Sequence, residues 1–63
     1  MENLSTIISR KRKQLGLSKY KLAKMADMPY QTLLNIEKGR SVRIETMQKV
    51  ADILGMKVII VDA

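Results

Sequence analysis

The chain has 63 residues, no cysteine and no histidine, and it carries a formal net charge of +6. A chain this short forms one domain at most, and it buries only about 60% of the surface that its unfolded form exposes. Composition excludes disulfides and sites built from thiolate or imidazole ligands, so we expect no metal and no cofactor. Self-association then remains as the additional source of stability that so small a domain needs.

The apolar residues give no sign of a membrane protein. The longest apolar run, residues 58–61, is far too short to span a bilayer. The chain also does not start with a basic region followed by an apolar stretch, which is the pattern of a secretion signal. We therefore expect a cytoplasmic protein.

The basic charge is concentrated in the first half of the chain. Between Asn3 and Ala26 there are seven lysines and arginines and no acid, while all six acids lie elsewhere. A one-sided field of this kind attracts polyanions and indicates nucleic-acid binding. The alternatives are a solvated basic face and an anionic membrane surface.

Two helices are predicted before Asp27. The first covers about 3–14 and ends at Gly16, with Asn3 or Ser5 as its N-cap. Its apolar residues at helical spacing are Leu4, Ile7, Ile8 and Leu15. The second covers about 19–26 after the N-cap Ser18, and its apolar stripe consists of Leu22, Ala23 and Ala26.

Two further helices and a strand are predicted after it. The third helix covers about 29–38, because Pro29 suits a first helical turn and Gly39 a helix end. The fourth covers about 44–54 and has on one face Ile44, Met47, Val50, Ala51 and Leu54. The tail is β-branched and apolar, which predicts a strand at Val58, Ile59, Ile60 and Val61.

The second and third helices are joined by the tight connection 27–29, which is the spacing of a helix-turn-helix. A longer pattern surrounds them: Gly16-Leu17-Ser18, Leu22-Ala23, Ala26, Thr32-Leu33, Ile36-Glu37-Lys38-Gly39, Ile44-Glu45-Thr46-Met47, Val50-Ala51 and Leu54-Gly55-Met56. This pattern resembles the phage Cro/repressor (Xre-type) family of helix-turn-helix regulators. The chain departs from the family at Lys19, where Gln is usual, at Pro29, where Ser or Thr is usual, and at Val42-Arg43, where Pro-Ser is usual.

The resemblance implies a mainly α fold, a compact four-helix lambda-repressor-like domain over residues 1–56. Residues 57–63 would form a short C-terminal β-strand for dimerisation. A dimeric transcriptional repressor is then expected, with the third helix reading double-stranded DNA in the major groove. Catalysis is not expected, because the loose Ser-x-x-Lys pattern at Ser18–Lys21 lacks the other elements of an active site.

The resemblance places Tyr30, Gln31 and Asn35 on the groove-facing surface of the third helix. Gln31 and Asn35 are four residues apart on one helix face, and each amide can donate and accept together, as adenine requires. The candidate base contacts are Tyr30, Gln31, Asn35 and Lys19. The candidate phosphate contacts are Ser18, Lys19, Lys38, Arg40, Ser41 and Arg43.

Four other residues on or near the third helix are expected to have mainly structural roles. The family pairs a first-helix arginine with the glutamate that ends the third helix, which predicts an ion pair between Arg12 and Glu37; the alternative is an unpaired surface glutamate. Leu34 either contacts a thymine methyl or shields the edge of the core, and we expect the second. Thr32 is expected to be half-buried.

The predicted C-terminal strand has no partner strand in its own chain. Antiparallel pairing of Val58, Ile59, Ile60 and Val61 with a second copy would satisfy its backbone and give a homodimer. The operator would then be nearly palindromic, with half-sites about 34–36 Å apart. Alternatively, the tail packs onto its own helices or binds another protein, as in an antitoxin that binds a toxin partner and represses its own operon. RNA binding is a weaker alternative, because bases of RNA stack on aromatic rings and Tyr20 and Tyr30 are the only aromatic residues.

Overall fold

The computed structural model describes residues 3–59, and in this range the chain forms four α-helices and no β-strand. The helices are α1 (Leu4–Gln14), α2 (Lys19–Met25), α3 (Tyr30–Glu37) and α4 (Ile44–Ile53). The predicted mainly α, four-helix fold is confirmed, and no predicted helix bound differs from the observed one by more than one residue. Within residues 3–59, no helix is long and apolar enough to cross a membrane.

The first two helices begin at residues whose side chains satisfy a free backbone N–H group. The backbone N–H of Thr6 donates to Asn3 Oδ1 at 2.9 Å, and the N–H of Lys21 donates to Ser18 Oγ at 3.0 Å. Asn3, not Ser5, is therefore the N-cap of α1. Pro29 precedes α3 without a side-chain cap.

All four helices end in the same way, with one residue in the left-handed conformation. Three of these residues are glycines, and the fourth is Asp27 with φ of +53°. After α2, the N–H of Asp27 donates to Lys24 O at 3.1 Å and the N–H of Met28 donates to Ala23 O at 3.0 Å. Aspartate tolerates this conformation better than most residues other than glycine. The sharp stop lets the chain turn directly into α3.

The hydrophobic core lies where α3 packs against α1 and α2, with α4 packed against α2. Ala23 of α2 and Ala26, which caps the C-terminal end of α2, are buried, and their small side chains allow α3 to approach closely. The largest fully buried side chains are Ile8, Leu22, Leu33, Ile36, Val50 and Leu54. This packing fixes which face of α3 points inward.

Some residues at the ends of the predicted apolar stripes are not part of the core. Leu4 and Leu15 expose 40% and 49% of their surface, and Ile44 exposes 50%. Leu4 and Ile44 are the first residues of their helices, and Leu15 follows the last residue of α1. Periodicity continues through such positions in the sequence, but the neighbouring helices cover them only in part.

The tail does not form a strand in the described range. The N–H of Met56 donates to Ala51 O at 2.8 Å, and residues 56–59 then have irregular backbone. Val58 and Ile59, which were predicted in a strand, have no ladder partner among residues 3–59. Ile60 and Val61, the rest of that predicted strand, lie outside the described residues.

The side chains of Arg12 and Glu37 form a buried ion pair between α1 and α3. Arg12 Nε donates to Glu37 Oε2 at 2.8 Å and Nη2 donates to Oε1 at 3.3 Å. Arg12 Nη1 also donates to Leu17 O, in the α1–α2 connection, at 2.7 Å. The two side chains are only 8% and 5% exposed. One guanidinium therefore joins α1, α3 and the connection between α1 and α2.

Removing one partner of this pair should strongly destabilise the domain, since the other charge would stay buried and unpaired. Arg12→Met and Glu37→Leu should each lower the free energy of unfolding by about 3–5 kcal/mol. The double variant should lose less than either single variant, because it leaves no buried charge. Urea and thermal unfolding followed by circular dichroism measure this, and two single losses that simply add would contradict it.

Candidate nucleic-acid interface

The α2–α3 unit holds α3 with one face against the core and the opposite face toward solvent. Leu33 and Ile36 of α3 are buried against Leu22 and Ala23 of α2. Residues on the other side of α3 begin with Tyr30, which is 45% exposed, and Gln31, which is also exposed. A short polar rod on a rigid support is the geometry of a helix that enters a major groove.

The two amides predicted to share a face of α3 are in direct contact. Gln31 Nε2 donates to Asn35 Oδ1 at 3.1 Å, and Asn35 is half-buried whereas Gln31 is exposed. Thr32 and Leu34 are both half-buried. That Leu34 shields the edge of the core stays a prediction.

The hydrogen bond between these amides leaves a defined set of donors and acceptors for a ligand. Gln31 keeps its Oε1 acceptor and a second N–H donor, and this pair matches adenine N6 and N7. Arg40 Nη1 lies 3.5 Å from Asn35 Oδ1, so Asn35 presents its N–H groups and its oxygen is occupied. The exposed face of α3 is thus able to form hydrogen bonds with base edges.

Exposed basic and hydroxyl groups flank α3 on both sides. The predicted phosphate contacts that follow α3, namely Lys38, Arg40, Ser41 and Arg43, are all exposed. Before α3 in the chain, Ser18 is exposed and Lys19, the first residue of α2, is half-buried. The Ser18 hydroxyl accepts from Lys21 N–H in the helix cap and keeps its own hydrogen for donation.

The start of α2 lies beside the start of α3, because Tyr20 contacts Tyr30. Their ring centroids are 6.4 Å apart, with an interplanar angle of 46°. No role of Tyr20 in DNA binding was predicted, because nothing in the local sequence signals a contact between residues on different helices. This contact brings the groups that open α2 to the same side of the domain as Tyr30.

The carboxylate at the end of α3 does not weaken the positive field of this surface. Glu37 is the only acid on α3, and its side chain is turned inward onto Arg12 at 2.8 Å. An unpaired carboxylate beside Lys38 and Arg40 would repel phosphates. The ion pair therefore neutralises Glu37 and leaves the neighbouring cations available.

Comparison with protein families agrees with this geometry. A helix-turn-helix family model matches residues 8–59, which is most of the chain. No curated protein sequence matches the chain significantly. The matched range contains α2, α3, α4 and the glycine-terminated turns that carry the resemblance described above. The chain therefore belongs to the Xre-type (Cro/repressor) helix-turn-helix family, and it is a DNA-binding transcription regulator.

Proposed function

We propose that the protein is a sequence-specific repressor that binds a near-palindromic operator as a homodimer. The observation that supports this most directly is the hydrogen-bonded pair of amides on the outer face of α3, where Gln31 Nε2 lies 3.1 Å from Asn35 Oδ1. Amides read base edges, whereas the exposed cations around them bind phosphate without regard to sequence.

In this proposal, one group of residues contacts bases and another group contacts phosphates. The base contacts are made by Tyr30, Gln31, Asn35 and Lys19. The phosphate contacts, which set affinity and register, are made by Ser18, Lys38, Arg40, Ser41 and Arg43. Exposure of Tyr30 and Gln31 on α3, and of the cations that follow it, supports this division.

The length of α3 supports binding as a dimer. Eight residues span about 12 Å of helix, which covers only a few base pairs of a groove. So short a sequence recurs too often in a genome to define a regulatory site. Two copies related by a two-fold axis would double the sequence that is read and would require half-sites about 34–36 Å apart.

The dimer contact is assigned to the C-terminal segment, residues 57–63, with residues 1–56 as the DNA-binding domain. Ile59 exposes 71% of its surface, the largest exposed fraction among the large hydrophobic residues described. Val58 and Ile59 have no ladder partner among residues 3–59, and β-branched residues in that situation favour pairing with an identical segment.

Repression is the regulatory outcome that requires the fewest binding surfaces on such a protein. A bound dimer blocks access to its site by occupancy alone, whereas activation needs a second surface that contacts the transcription machinery. We accordingly propose that the protein works as a repressor on DNA in the cytoplasm.

Selection of bound fragments from a random DNA pool, using the purified protein, tests the function. We expect enriched sequences with two inverted half-sites whose centres are one helical turn apart. Fragments without a common sequence would contradict specific recognition. A single half-site without a repeat would contradict the dimeric mode but not specific recognition.

Replacing Gln31 by Ala should change specificity at one position of each half-site. The variant loses a base contact, so discrimination at that position should fall by about 1–3 kcal/mol while the other positions keep theirs. Gln48→Ala is the control, because Gln48 Nε2 forms a comparable hydrogen bond to Asp52 Oδ1 on α4, at 2.7 Å. Titration of single-base operator variants measures both, and an equal loss at every position would exclude base reading by Gln31.

Replacing Ile59 by Pro should convert the dimer to a monomer, because proline lacks the N–H that a strand ladder needs. Ile59→Ala keeps that N–H and is the control for lost apolar surface. Sedimentation equilibrium of the two variants measures the change. A dimer that persists in the Ile59→Pro variant would place the interface elsewhere on the chain.

An antitoxin is the second candidate function, and the exposure of Ile59 also favours it, because the same apolar tail could bind a toxin protein. The two candidates differ in what the protein does alone. A repressor homodimer binds its operator tightly without a partner, whereas an antitoxin of this kind would be monomeric or weakly bound until its partner is added.

A further inference from the structure

A small cleft between α2 and α3 adjoins the face of α3 described above, and of its lining residues only Tyr30 has a role in the proposed contacts. It has a volume of about 170 Å³ and is lined by Tyr20, Ala23, Lys24, Met28 and Tyr30. Ala23 and Met28 form its apolar floor, since both pack in or against the hydrophobic core. The two tyrosines and the lysine form the walls.

The walls of this cleft are held together but remain accessible. The rings of Tyr20 and Tyr30 are 6.4 Å apart at their centroids, and Lys24 Nζ lies 5.8 Å from the centre of the Tyr20 ring. Tyr20 nevertheless exposes 63% of its surface, more than any core contact would allow. The cluster is therefore a pre-arranged surface and not an extension of the core.

The chemistry of the cleft selects an anion that is attached to an apolar ring or chain. Lys24 supplies a positive charge, the tyrosines supply two hydroxyl groups and two ring surfaces, and the floor supplies apolar contact. None of the five lining residues is acidic. The deoxyribose and phosphate of a DNA strand combine these features, since the sugar is a compact ring and the phosphate is negative.

The cleft is continuous with the surface of α3 through a shared residue. Tyr30 forms one wall of the cleft and is also the first residue of α3. A DNA strand that passes the first turn of α3 would therefore meet Tyr20 and Lys24 next. Lys21, on the same helix, is exposed but does not line the cleft.

We infer that Tyr20 and Lys24, together with Tyr30, form a second backbone site that holds a sugar and phosphate of the DNA strand flanking each half-site. This inference rests on the proposed function and extends it, because these residues would add affinity outside the base pairs that α3 reads. Lys24 pairs with the phosphate, and the edge of the Tyr20 ring contacts the sugar.

The test compares Lys24→Gln with the matched control Lys21→Gln in the full chain, on the duplex that the wild-type protein selects. Loss of one phosphate contact should reduce the slope of log binding constant against log salt concentration by about 0.9 per bound protomer for Lys24→Gln. Lys21→Gln should leave the slope close to that of the wild type. Tyr20→Ala should weaken binding, and Tyr20→Phe should restore most of it, because the ring is retained.

A second measurement locates the contact along the DNA. Shortening the duplex stepwise outside the half-sites should weaken wild-type binding once the flanking nucleotide is removed, and Lys24→Gln should be insensitive to that step. Equal slopes for the Lys24→Gln variant and the wild type, or equal sensitivity to shortening, would overturn the inference while specific binding stays intact. A wild-type protein that selects no DNA would overturn the proposed function as well, so the two failures are distinguishable.

Discussion

The ion pair between Arg12 and Glu37 is the constraint on which the placement of α3 depends. A guanidinium and a carboxylate that are almost fully buried must satisfy one another, because each alone would lose its hydration without compensation. Their parallel hydrogen bonds fix both distance and orientation between α1 and α3. Apolar packing of Leu33 and Ile36 could tolerate small rotations of α3, but the bidentate contact could not.

The same pair also determines the electrostatics of the surface that is proposed to face DNA. Glu37 stands at the end of α3, next to Lys38 in sequence, where an exposed carboxylate would oppose phosphate binding. Burial against Arg12 removes that opposition and converts an acidic residue into part of the scaffold. A single contact thus fixes the packing of α3 against α1 and keeps the surface beside the end of α3 positively charged.

Much of the fold could be predicted from the sequence, because helix ends carry local signals. Gly16, Gly39 and Gly55 mark three of the four helix ends correctly, since glycine adopts a positive φ at little cost. Asp27 has the same conformation and was predicted in a tight connection, but an aspartate alone does not predict a positive φ. Leu4, Leu15 and Ile44 continue the predicted apolar stripes but stay exposed, because periodicity does not tell how far a helix is covered by its neighbours.

The site was predictable to the extent that it lies on one helix. Gln31 and Asn35 are four residues apart, so their shared face follows from helix geometry alone. The contacts of Asn35 with Arg40 and of Tyr20 with Tyr30 join different elements, and only the packed structure brings them together. The pair of Arg12 and Glu37 spans 25 residues, and it was anticipated only through the family resemblance.

The division of α3 into two faces has a consequence for how such a protein can change. Leu33, Ile36 and Glu37 hold the helix in place, while Tyr30 and Gln31 contribute little to the core. Substitutions at the outer positions are therefore nearly neutral for stability, yet each one alters what the helix can bind. New DNA-sequence preferences can therefore arise by one substitution at a time, and the protein stays folded after each of them.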